Sequence, residues 1–495
     1  MIFKIVTPIK AYILEATPEE IVKIKQQTHY VSDSVVYNIN KIKNNRWWKN
    51  KNPDTWQEAL DKLAGQKDKY LLFQDSKGYF LRPGFISYLR GISYTVINEV
   101  KYPTLKSLKW EKPPTFEPYD YQNDSNDLLL KNRHACVSLP TGSGKSYLLE
   151  LIAKNSGLEI ALITPSASIF NQLLEEFTLL FGKDKVGGFG DGKKNIDKKI
   201  TICINKSLAN LKEGTKEYDF FAKKQMICVD ESHTFAAETL EEVCHGVFSE
   251  VPYRLFFSAT QTRGDGSEKL LYSIIGPCVY EMSIEEAIQK GYLCPLKFTV
   301  IKTTSPSPLT VRDAMENKRE HFLRNRNLAE LAAKIANAKW RSLEESTLIL
   351  VEELSQITAL TKLLEVPFGY VHAASKKEAA EVGLEAVNSA DQIERFNKGE
   401  IRVLIGTRAI ATGTNMFPTH NTINLMGGNS EIITKQGAMG RSTRKLENSK
   451  YKNFHKPKPH SMVYDFDVRG NKLLESQLKN RIKFYEETGE LVKIV

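Results

Sequence analysis

The stretch "SLPTGSGKS", residues 138–146, decides how the rest of the chain is interpreted. Its two glycines, Gly142 and Gly144, allow consecutive backbone N–H groups to turn inward around a phosphate, and Lys145 adds a positive charge. A strict P-loop pattern has glycine where this chain has Leu139, but the atoms that bind phosphate are present. We therefore expect a nucleotide site here. Its phosphate-binding residues are expected to be Thr141, Gly142, Ser143, Gly144, Lys145 and Ser146.

The residues on either side of this loop predict a strand and a helix. The apolar run "HACVSL" precedes it, and "KSYLLELIAKNSG" follows with apolar residues at helical spacing and Gly157 as a stop. Strand, loop and helix in this order are the setting that a phosphate-binding loop requires. The alternative for this segment alone is a Gly/Ser turn that carries a surface lysine.

The composition is that of a chain with several packed domains. It has 495 residues, 41% of them hydrophobic, which predicts about three or four domains. The six cysteines form no CxxC pair, so neither a disulfide framework nor a metal cluster is indicated, and a cytoplasmic location is expected. No apolar run approaches the ~18 residues that cross a bilayer, and the N-terminus does not read as a signal peptide. We expect no membrane partner.

The positive charge is concentrated in the N-terminal part of the chain. The formal net charge is +10, and residues 1–110 hold 18 Lys and Arg against 10 Asp and Glu, a balance of +8. This part is the candidate for binding a polyanion, and a solvated basic face without a ligand is the alternative. Within "NKIKNNRWWKNKN", Trp47 and Trp48 either stack on unpaired bases or belong to the core. A basic surface could continue through Lys62, Lys67, Lys69, Arg82 and Arg90.

The remainder of the chain has the alternation of an α/β fold. Two proline-containing stretches, "SLKWEKPPTFEP" and "KTTSPSPLT", are expected to be linkers. Short apolar runs alternate with helical patterns between and after them, which predicts parallel sheets. The predicted strands are "EIALITPS", "ITICINKS", "QMICVDES" and "YRLFFSAT", then "STLILVEE", "IRVLIGTR", "NTINLM" and "SMVYDFDV".

An acidic group follows one of these strands in "MICVDESH". Ligands of open α/β folds bind at the carboxyl edge of the sheet, so Asp230 is expected to hold Mg²⁺ together with Ser146. Glu231 is expected to orient and deprotonate the water that attacks the γ-phosphate, with His233 beside it. The alternative is an acidic surface turn.

Two more segments carry candidate residues. "FFSATQTRGDG" places Ser258 and Thr260 at the exit of another strand. "KQGAMGRSTR", residues 435–444, which we name the arginine segment, combines Gln436 with Arg441 and Arg444. Two arginines three apart are expected to share one helical face and to stabilise the charge of the transition state. A salt-bridged surface helix is the alternative.

"LPTGSGKS", "DESH", "SAT" and "QGAMGRSTR", in this order, resemble the motor of superfamily 2 helicases and translocases over about residues 116–470. The resemblance implies two tandem RecA-like domains, ATP and Mg²⁺ as cofactors, Ser258 and Thr260 as coupling residues, and adenine contacts from Tyr121 and Gln122. It also implies a strand-end segment in each domain. In the second domain this is "VLIGTRAIATGTNM", residues 403–416, with Gly413 at the nucleotide. The implied nucleic-acid contacts are Thr164, Pro165, Gln172 and Thr407.

The run from "SATQTRGDG" to "GYLCPLKF" is similar to the group that includes XPB-type and phage branch-migration helicases. The resemblance implies an ATP hydrolase that remodels forked or branched DNA in repair, recombination or replication, in the host cytoplasm if a phage encodes it. The expected fold is α/β, with a basic α+β DNA-binding domain at 1–115, RecA-like domains at 116–300 and 301–470, and a C-terminal helix and tail at 471–495. Gln261 and Asn415 depart from common patterns, and Asn415 puts one ribose or domain contact in doubt.

Other functions remain open at this point. An RNA helicase and a duplex DNA translocase that does not separate strands are alternatives within the same class. A scaffold that uses ATP as a conformational switch is the non-enzyme alternative, against which Glu231 argues, because a switch needs no hydrolytic base.

Overall fold

The computed structural model describes residues 1–114, 117–258, 268–305, 307, 313–407, 416–428, 442–447 and 449–494, with backbone alone for 33, 34, 487, 488 and 490–494. The chain divides into two compact units. Unit 1 contains Met1–Leu139 and Ser146–Glu281, and unit 2 contains Pro140–Lys145 and Met282–Val495. Each unit is built on a sheet of mainly parallel strands, which confirms the predicted α/β class with two RecA-like sheets.

The N-terminal part of unit 1 is a small α+β layer. Its sheet has the order β5-β6-β2-β1-β7, and β3 pairs with β4 separately. The strands are β1 Ile2–Thr7, β2 Lys10–Leu14, β3 His29–Val31, β4 Asp68–Tyr70, β5 Phe73–Asp75, β6 Gly78–Leu81 and β7 Thr95–Asn98. The helices are α1 Pro18–Thr28, α2 Asp33–Asn44, α3 Arg46–Lys51 and α4 Pro53–Ala64, with a 3₁₀ turn at Pro83–Tyr88. Thr17 and Glu20 form a capping box that starts α1.

The rest of unit 1 is a twisted sheet with helices on its faces. The strand order in the described residues is β11-β10-β12-β9-β13-β14-β8-β15. The strands are β8 His134–Ser138, β9 Ile160–Thr164, β10 Val186–Gly190, β11 Lys193–Asn195, β12 Ile200–Ile204, β13 Met226–Val229, β14 Tyr253–Ser258 and β15 Cys278–Glu281. The helices are α5 Asp120–Asn132, α6 Lys145–Ser156, α7 Ala167–Phe181, α8 Asn205–Ala209, α9 Lys216–Ala222, α10 Ala237–His245 and α11 Glu268–Ile275, with a 3₁₀ turn at Ser232–Thr234.

The N-terminal layer packs directly onto α11. The rings of Tyr88 and Tyr272 stack with centroids 4.5 Å apart, and the Tyr88 hydroxyl donates to the carbonyl of Gly276 at 2.9 Å. Lys269 Nζ donates to the carbonyl of His29 at 2.7 Å. One buried apolar cluster runs without interruption from Phe3 into the large sheet. Residues 1–115, expected as a separate domain, are therefore part of the same compact unit as the first large sheet.

Unit 2 contains the second large sheet, in the order β18-β19-β17-β20-β21-β16-β22. The strands are β16 Leu296–Thr304, β17 Thr347–Val351, β18 Phe368–Val371, β19 Val403–Gly406, β20 Asn421–Leu425, β21 Ser461–Arg469 and β22 Glu490–Ile494. The helices are α12 Ile284–Gln289, α13 Ala314–Lys318, α14 Arg326–Leu343, α15 Leu354–Thr361, α16 Lys376–Glu381, α17 Ser389–Asn397 and α18 Lys472–Thr488, with a π-helical turn at Arg319–Leu323 and a 3₁₀ turn at Lys452–Phe454.

Two features of unit 2 differ from the expected domain limits. Strand β16 pairs with β21 along its whole length, so the expected boundary at residue 300 falls inside a strand of the second sheet. The C-terminal helix α18 is fixed to the same sheet, because the buried Arg481 guanidinium meets both carboxylate oxygens of Asp465 at 2.6 and 3.1 Å. The Tyr485 hydroxyl donates to the same carboxylate at 2.7 Å.

Candidate functional site

The candidate site begins at the carboxyl edge of the large sheet in unit 1. Strands β9, β13, β14 and β8 are adjacent and parallel. The register pairs Val229 with Ile163 and with Phe256, and pairs Ser258 with Ser138. The four strands therefore end side by side, and the residues that follow them meet at the edge where α/β proteins bind ligands.

The loop after β8 has the backbone that phosphate binding needs. Gly142 and Gly144 have φ values of 89° and 80°, which favour glycine, and α6 begins directly at Lys145. Within unit 2, the Thr443 hydroxyl donates to the Thr141 carbonyl at 3.3 Å, and a Cβ at Gly142 would lie 3.1 Å from that hydroxyl oxygen. Left-handed residues that lead into a helix N-terminus form a concave set of N–H groups. The loop fits the phosphates of a nucleotide.

The imidazole of His233 lies between the acidic residues that follow β13 and the end of β14. The buried Asp230 carboxylate accepts the backbone N–H of Glu231 at 2.9 Å. Glu231 Oε2 lies 3.6 Å from His233 Nδ1, and the same nitrogen lies 2.9 Å from Ser258 Oγ. A continuous polar path thus connects the expected water-activating carboxylate with the serine of the expected coupling segment.

The candidate magnesium ligands are one carboxylate and one hydroxyl. Asp230 is buried and Ser146 is half-buried. The described residues contain no group of three or more His, Cys, Asp or Glu side chains arranged to hold a metal ion. Magnesium is typically held by one or two carboxylates together with substrate phosphates and water, so these two side chains fit the ion.

Tyr121 and Gln122 lie in the first turn of α5. Both side chains are buried, and the rings of Tyr119 and Tyr121 stack with centroids 5.8 Å apart. Gln122 Oε1 accepts the backbone N–H of Tyr119 at 2.9 Å, which caps the helix. The glutamine is therefore engaged in local structure, and its contact with adenine stays a prediction.

Of the expected nucleic-acid contacts, Thr164 is buried, whereas Pro165, Gln172 and Thr407 are half-buried. Thr164 is fully buried and its hydroxyl donates to the carbonyl of Cys203 at 3.1 Å, so this hydroxyl points inward. Pro165 and Gln172 are half-buried, and Gln172 Nε2 donates to Glu176 Oε1 at 2.9 Å. In unit 2, the Thr407 N–H extends the ladder between β18 and β19 by donating to the Val371 carbonyl at 3.2 Å. Thr407 thus leaves the sheet at its carboxyl edge.

Several expected site residues fall outside the described residues. They are Thr260, Gly413, Gln436 and Arg441. Arg444 is described and lies in a bend, with its guanidinium 5.8 Å from the centroid of the Phe417 ring. The Thr443 carbonyl accepts the backbone N–H of Cys294 at 2.7 Å. Because Arg441 lies outside the described residues, the helical face expected to be shared by the two arginines stays a prediction.

The basic N-terminal layer exposes one of the two candidate tryptophans. Trp47 on α3 is 69% exposed, and Lys51 Nζ lies 4.7 Å from its ring centroid. Trp48 is half-buried and its indole N–H donates to Thr55 Oγ1 at 3.2 Å. Trp47 is the better candidate for stacking on a base.

Arg82, expected on a DNA-binding face, belongs to internal packing instead. Its guanidinium stacks 5.0 Å from the Phe73 centroid and lies 3.7 Å from Glu241 on α10. Burial lowers its pKa. Lys62, Lys67 and Arg90 are exposed and Lys69 is half-buried. The sequence shows the charge of Arg82 but not the carboxylate that neutralises it.

Lys458 in unit 2 is a buried cation that the sequence did not single out. Its ammonium donates to the carbonyls of Phe417 and Ser442, each at 3.1 Å. Those carbonyls follow the strand-end segment and Arg441 in the chain. The signal in the sequence is a lysine between two prolines just before a predicted strand, and it is too weak to reveal burial.

The chain is similar in sequence to several known proteins. Residues 115–263 match the family model described as type III restriction enzyme, res subunit. The chain is 24% identical over 422 residues to the DNA 3'-5' translocase XPB2 of Sulfurisphaera tokodaii, covering 79% of this chain and 90% of that protein. It is 23% identical over 348 residues to the ATP-dependent DNA helicase uvsW of Enterobacteria phage T4, covering 66% of each.

A solved structure supports the fold. Dbp5 of S. cerevisiae, bound to RNA and ADP BeF3, has a TM-score of 0.50 and 14% identity, covering 76% of this chain and 89% of that one. The two large sheets are those of two-domain RecA-like helicases. The matched family model and the relatives support an ATP-hydrolysing superfamily 2 helicase related to the XPB and UvsW proteins. No helix in the described residues is both long and apolar enough to cross a membrane.

Proposed function

We propose that this protein is a DNA motor that uses ATP hydrolysis to remodel forked or branched DNA, by fork regression or branch migration. The observation that carries the proposal is the polar path from Glu231 through His233 to Ser258, beside the strand that leads into the phosphate-binding loop. The relatives named for DNA translocation and DNA unwinding favour DNA as the substrate.

The roles of the residues follow from their places at the sheet edge. Lys145 and the N–H groups of the loop hold the β- and γ-phosphates. Asp230 and Ser146 hold Mg²⁺, which when bound neutralises charge on the phosphates. Glu231 takes a proton from the attacking water, and Arg441 and Arg444 neutralise charge that develops on the γ-phosphate.

Coupling of hydrolysis to DNA runs through the end of β14. The Ser258 hydroxyl contacts the imidazole of His233, and His233 contacts the carboxylate of Glu231. A change of charge at the γ-phosphate therefore alters a hydrogen bond to the segment that follows β14. The basic N-terminal layer, with the exposed ring of Trp47 among lysines, selects the DNA structure.

The test is steady-state ATP hydrolysis by the full chain with single-stranded, duplex, forked and four-way DNA and with RNA of matched sequence. Forked or four-way DNA is expected to stimulate most. Lys145→Ala is expected to abolish turnover, since the loop then lacks its phosphate-binding ammonium, whereas Lys131→Ala, which removes an exposed lysine on α5, leaves it unchanged.

Three outcomes contradict parts of the proposal. Equal stimulation by RNA contradicts DNA selectivity, and equal stimulation by linear duplex contradicts the choice of branched DNA. Normal turnover by Lys145→Ala contradicts the assignment of the nucleotide site itself.

A further inference from the structure

The ammonium of Lys458 lies at a junction of three chain segments in unit 2. The side chain is 2% exposed and donates to the carbonyls of Phe417 and Ser442, each at 3.1 Å. The carbonyl of Lys458 itself lies 3.5 Å from the thiol of Cys294, just before β16. One side chain therefore fixes the relative positions of segments that are far apart in sequence.

The two carbonyls that Lys458 contacts belong to residues next to expected site residues in the chain. Phe417 directly follows the strand-end segment, residues 403–416, and Ser442 directly follows Arg441 of the arginine segment. The Ser442 hydroxyl also forms a 2.6 Å hydrogen bond with Thr422 Oγ1 on β20. One carbonyl thus lies at the exit of the strand-end segment and the other within the arginine segment, and Lys458 contacts both.

Burying an ammonium group at this position has a high desolvation cost. A methionine would fit with a smaller desolvation cost, because taking a charge out of water costs several kcal/mol (order of magnitude). Burial lowers the pKa of Lys458 to about 8. The charged groups that face it in the described residues are Arg444, which lowers this pKa further, and Glu447, which raises it, together with the Cys294 thiol, whose own pKa burial raises.

We infer that Lys458 is a positioning residue that ties the arginine segment to the strand-end segment, so that nucleic acid held at one changes the placement of the arginines at the other. The inference rests on the proposed function. It adds a residue that touches neither ATP nor nucleic acid and acts through the two carbonyls that it holds.

The experiment compares Lys458→Met with a matched control, Lys224→Met, in the full chain. Lys224 in unit 1 is 3% exposed, donates to the carbonyls of Lys198 and Lys199 at 2.7 and 3.2 Å, and has a pKa that burial lowers to about 8. Lys458→Met is expected to lower the kcat stimulated by forked DNA about tenfold, with the KM for ATP within about twofold and the melting temperature within about 3 °C of the wild type. Lys224→Met is expected to keep the stimulated kcat.

The pH dependence separates positioning from support of the fold. Because the folded-state pKa of Lys458 is about 8, its side chain is charged at pH 7 and loses its proton, and so its charge, as the pH rises to 9. The ratio of wild-type to Lys458→Met stimulated kcat is expected to fall from about ten towards one over this range. If Lys458→Met does not fold, Lys458→Arg, whose charge persists at pH 9, replaces it, and the ratio of wild type to this variant is expected to fall as pH rises.

The outcomes are distinguishable. A wild type that forked DNA does not stimulate overturns the proposed function. If forked DNA does stimulate the wild type, three results overturn the role of Lys458. They are equal stimulation of Lys458→Met, an equal loss of stimulated kcat in Lys224→Met, and a ratio of wild-type to Lys458→Met kcat that does not change with pH.

Discussion

At the scale of single residues, Glu231 has the most constrained conformation in the site. It is a non-glycine residue in the left-handed region, with φ of 48°. Its N–H donates to Asp230, and its carbonyl accepts from both the N–H and the hydroxyl of Thr234 at 2.8 Å. These three hydrogen bonds hold a strained backbone that would otherwise relax. The carboxylate is therefore directed by its neighbours before any nucleotide binds.

The bond between Ser258 and His233 gives a residue-scale prediction. Ser258→Ala removes the hydroxyl that contacts the imidazole at 2.9 Å, so we expect strand separation per ATP hydrolysed to fall about fivefold, the equivalent of about 1 kcal/mol. The measurement is unwinding of forked DNA and phosphate release in the same samples. Ser273→Ala is the control, because that buried hydroxyl bonds within α11 to the Leu270 carbonyl. An unchanged ratio in Ser258→Ala would contradict the coupling path.

The sequence predicts which residue types belong to the candidate site, but it does not predict the hydrogen-bond partners of their side chains. The types at Lys145, Asp230 and Glu231 follow from what phosphate and magnesium require. That Thr164 directs its hydroxyl to Cys203, and that Gln122 caps α5, depends on partners that the motif does not specify. Hydrogen-bond partners are set by tertiary placement, which spacing along the chain does not encode.

At the scale of elements, buried parallel strands were the most predictable. The predicted strands correspond to β8, β9, β12, β13, β14, β17, β19, β20 and β21. They are continuous apolar runs because helices cover both faces of a parallel sheet. Strand β10, "VGGFG", gives no such signal, yet a Cβ at Gly187 would lie 2.0 Å from the Asn195 carbonyl oxygen. Close packing requires glycine there, and because glycine has no apolar side chain, the sequence of this strand lacks the apolar run that predicts a strand.

The contact between the 3₁₀ turn and α11 gives an element-scale prediction. A Cβ at Gly84 would lie 2.7 Å from the Ser273 carbonyl oxygen, so Gly84→Ala must push the turn away from α11. We expect it to lower the free energy of unfolding by about 1–3 kcal/mol. Gly65→Ala is the matched control in the same layer, since its Cβ would meet nothing closer than 3.7 Å. Urea unfolding of the two variants measures the difference, and equal midpoints would contradict the tight contact.

At the scale of the whole molecule, the basic N-terminal layer is a structural part of unit 1. The segment expected to be a linker contacts helices α6 and α7 of unit 1: Leu108 N–H donates to the Lys154 carbonyl at 2.7 Å, and the tilted rings of Trp110 and Phe181 have centroids 4.9 Å apart. The sequence shows the positive charge of this layer and the paired prolines that follow it. It does not show the shared core, because a pattern of apolar residues predicts a buried face but not the element that covers it.

Removing residues 1–115 is therefore expected to destabilise what remains. The cut uncovers Phe181, Tyr272 and the helix surface of α11, and exposed apolar area favours association. We expect the truncated chain to melt at a lower temperature than the full chain and to self-associate, as measured by calorimetry and sedimentation. A truncated chain that is monomeric and melts with the full chain would contradict the shared core. Substitutions on the exposed surface, at Trp47 for example, are the cleaner way to test DNA selection.

The pairing of β16 also has a consequence for how the protein is made. Unit 1 lies largely before Met282 in the chain, so most of its residues leave the ribosome early, and domains generally fold as units during synthesis. Strand β16 lies between β21 and β22 in the finished sheet, and both of those strands are translated long after it. Its backbone groups on both edges wait unpaired while the intervening residues emerge, so β16 is the stretch of the nascent chain that a chaperone would shield.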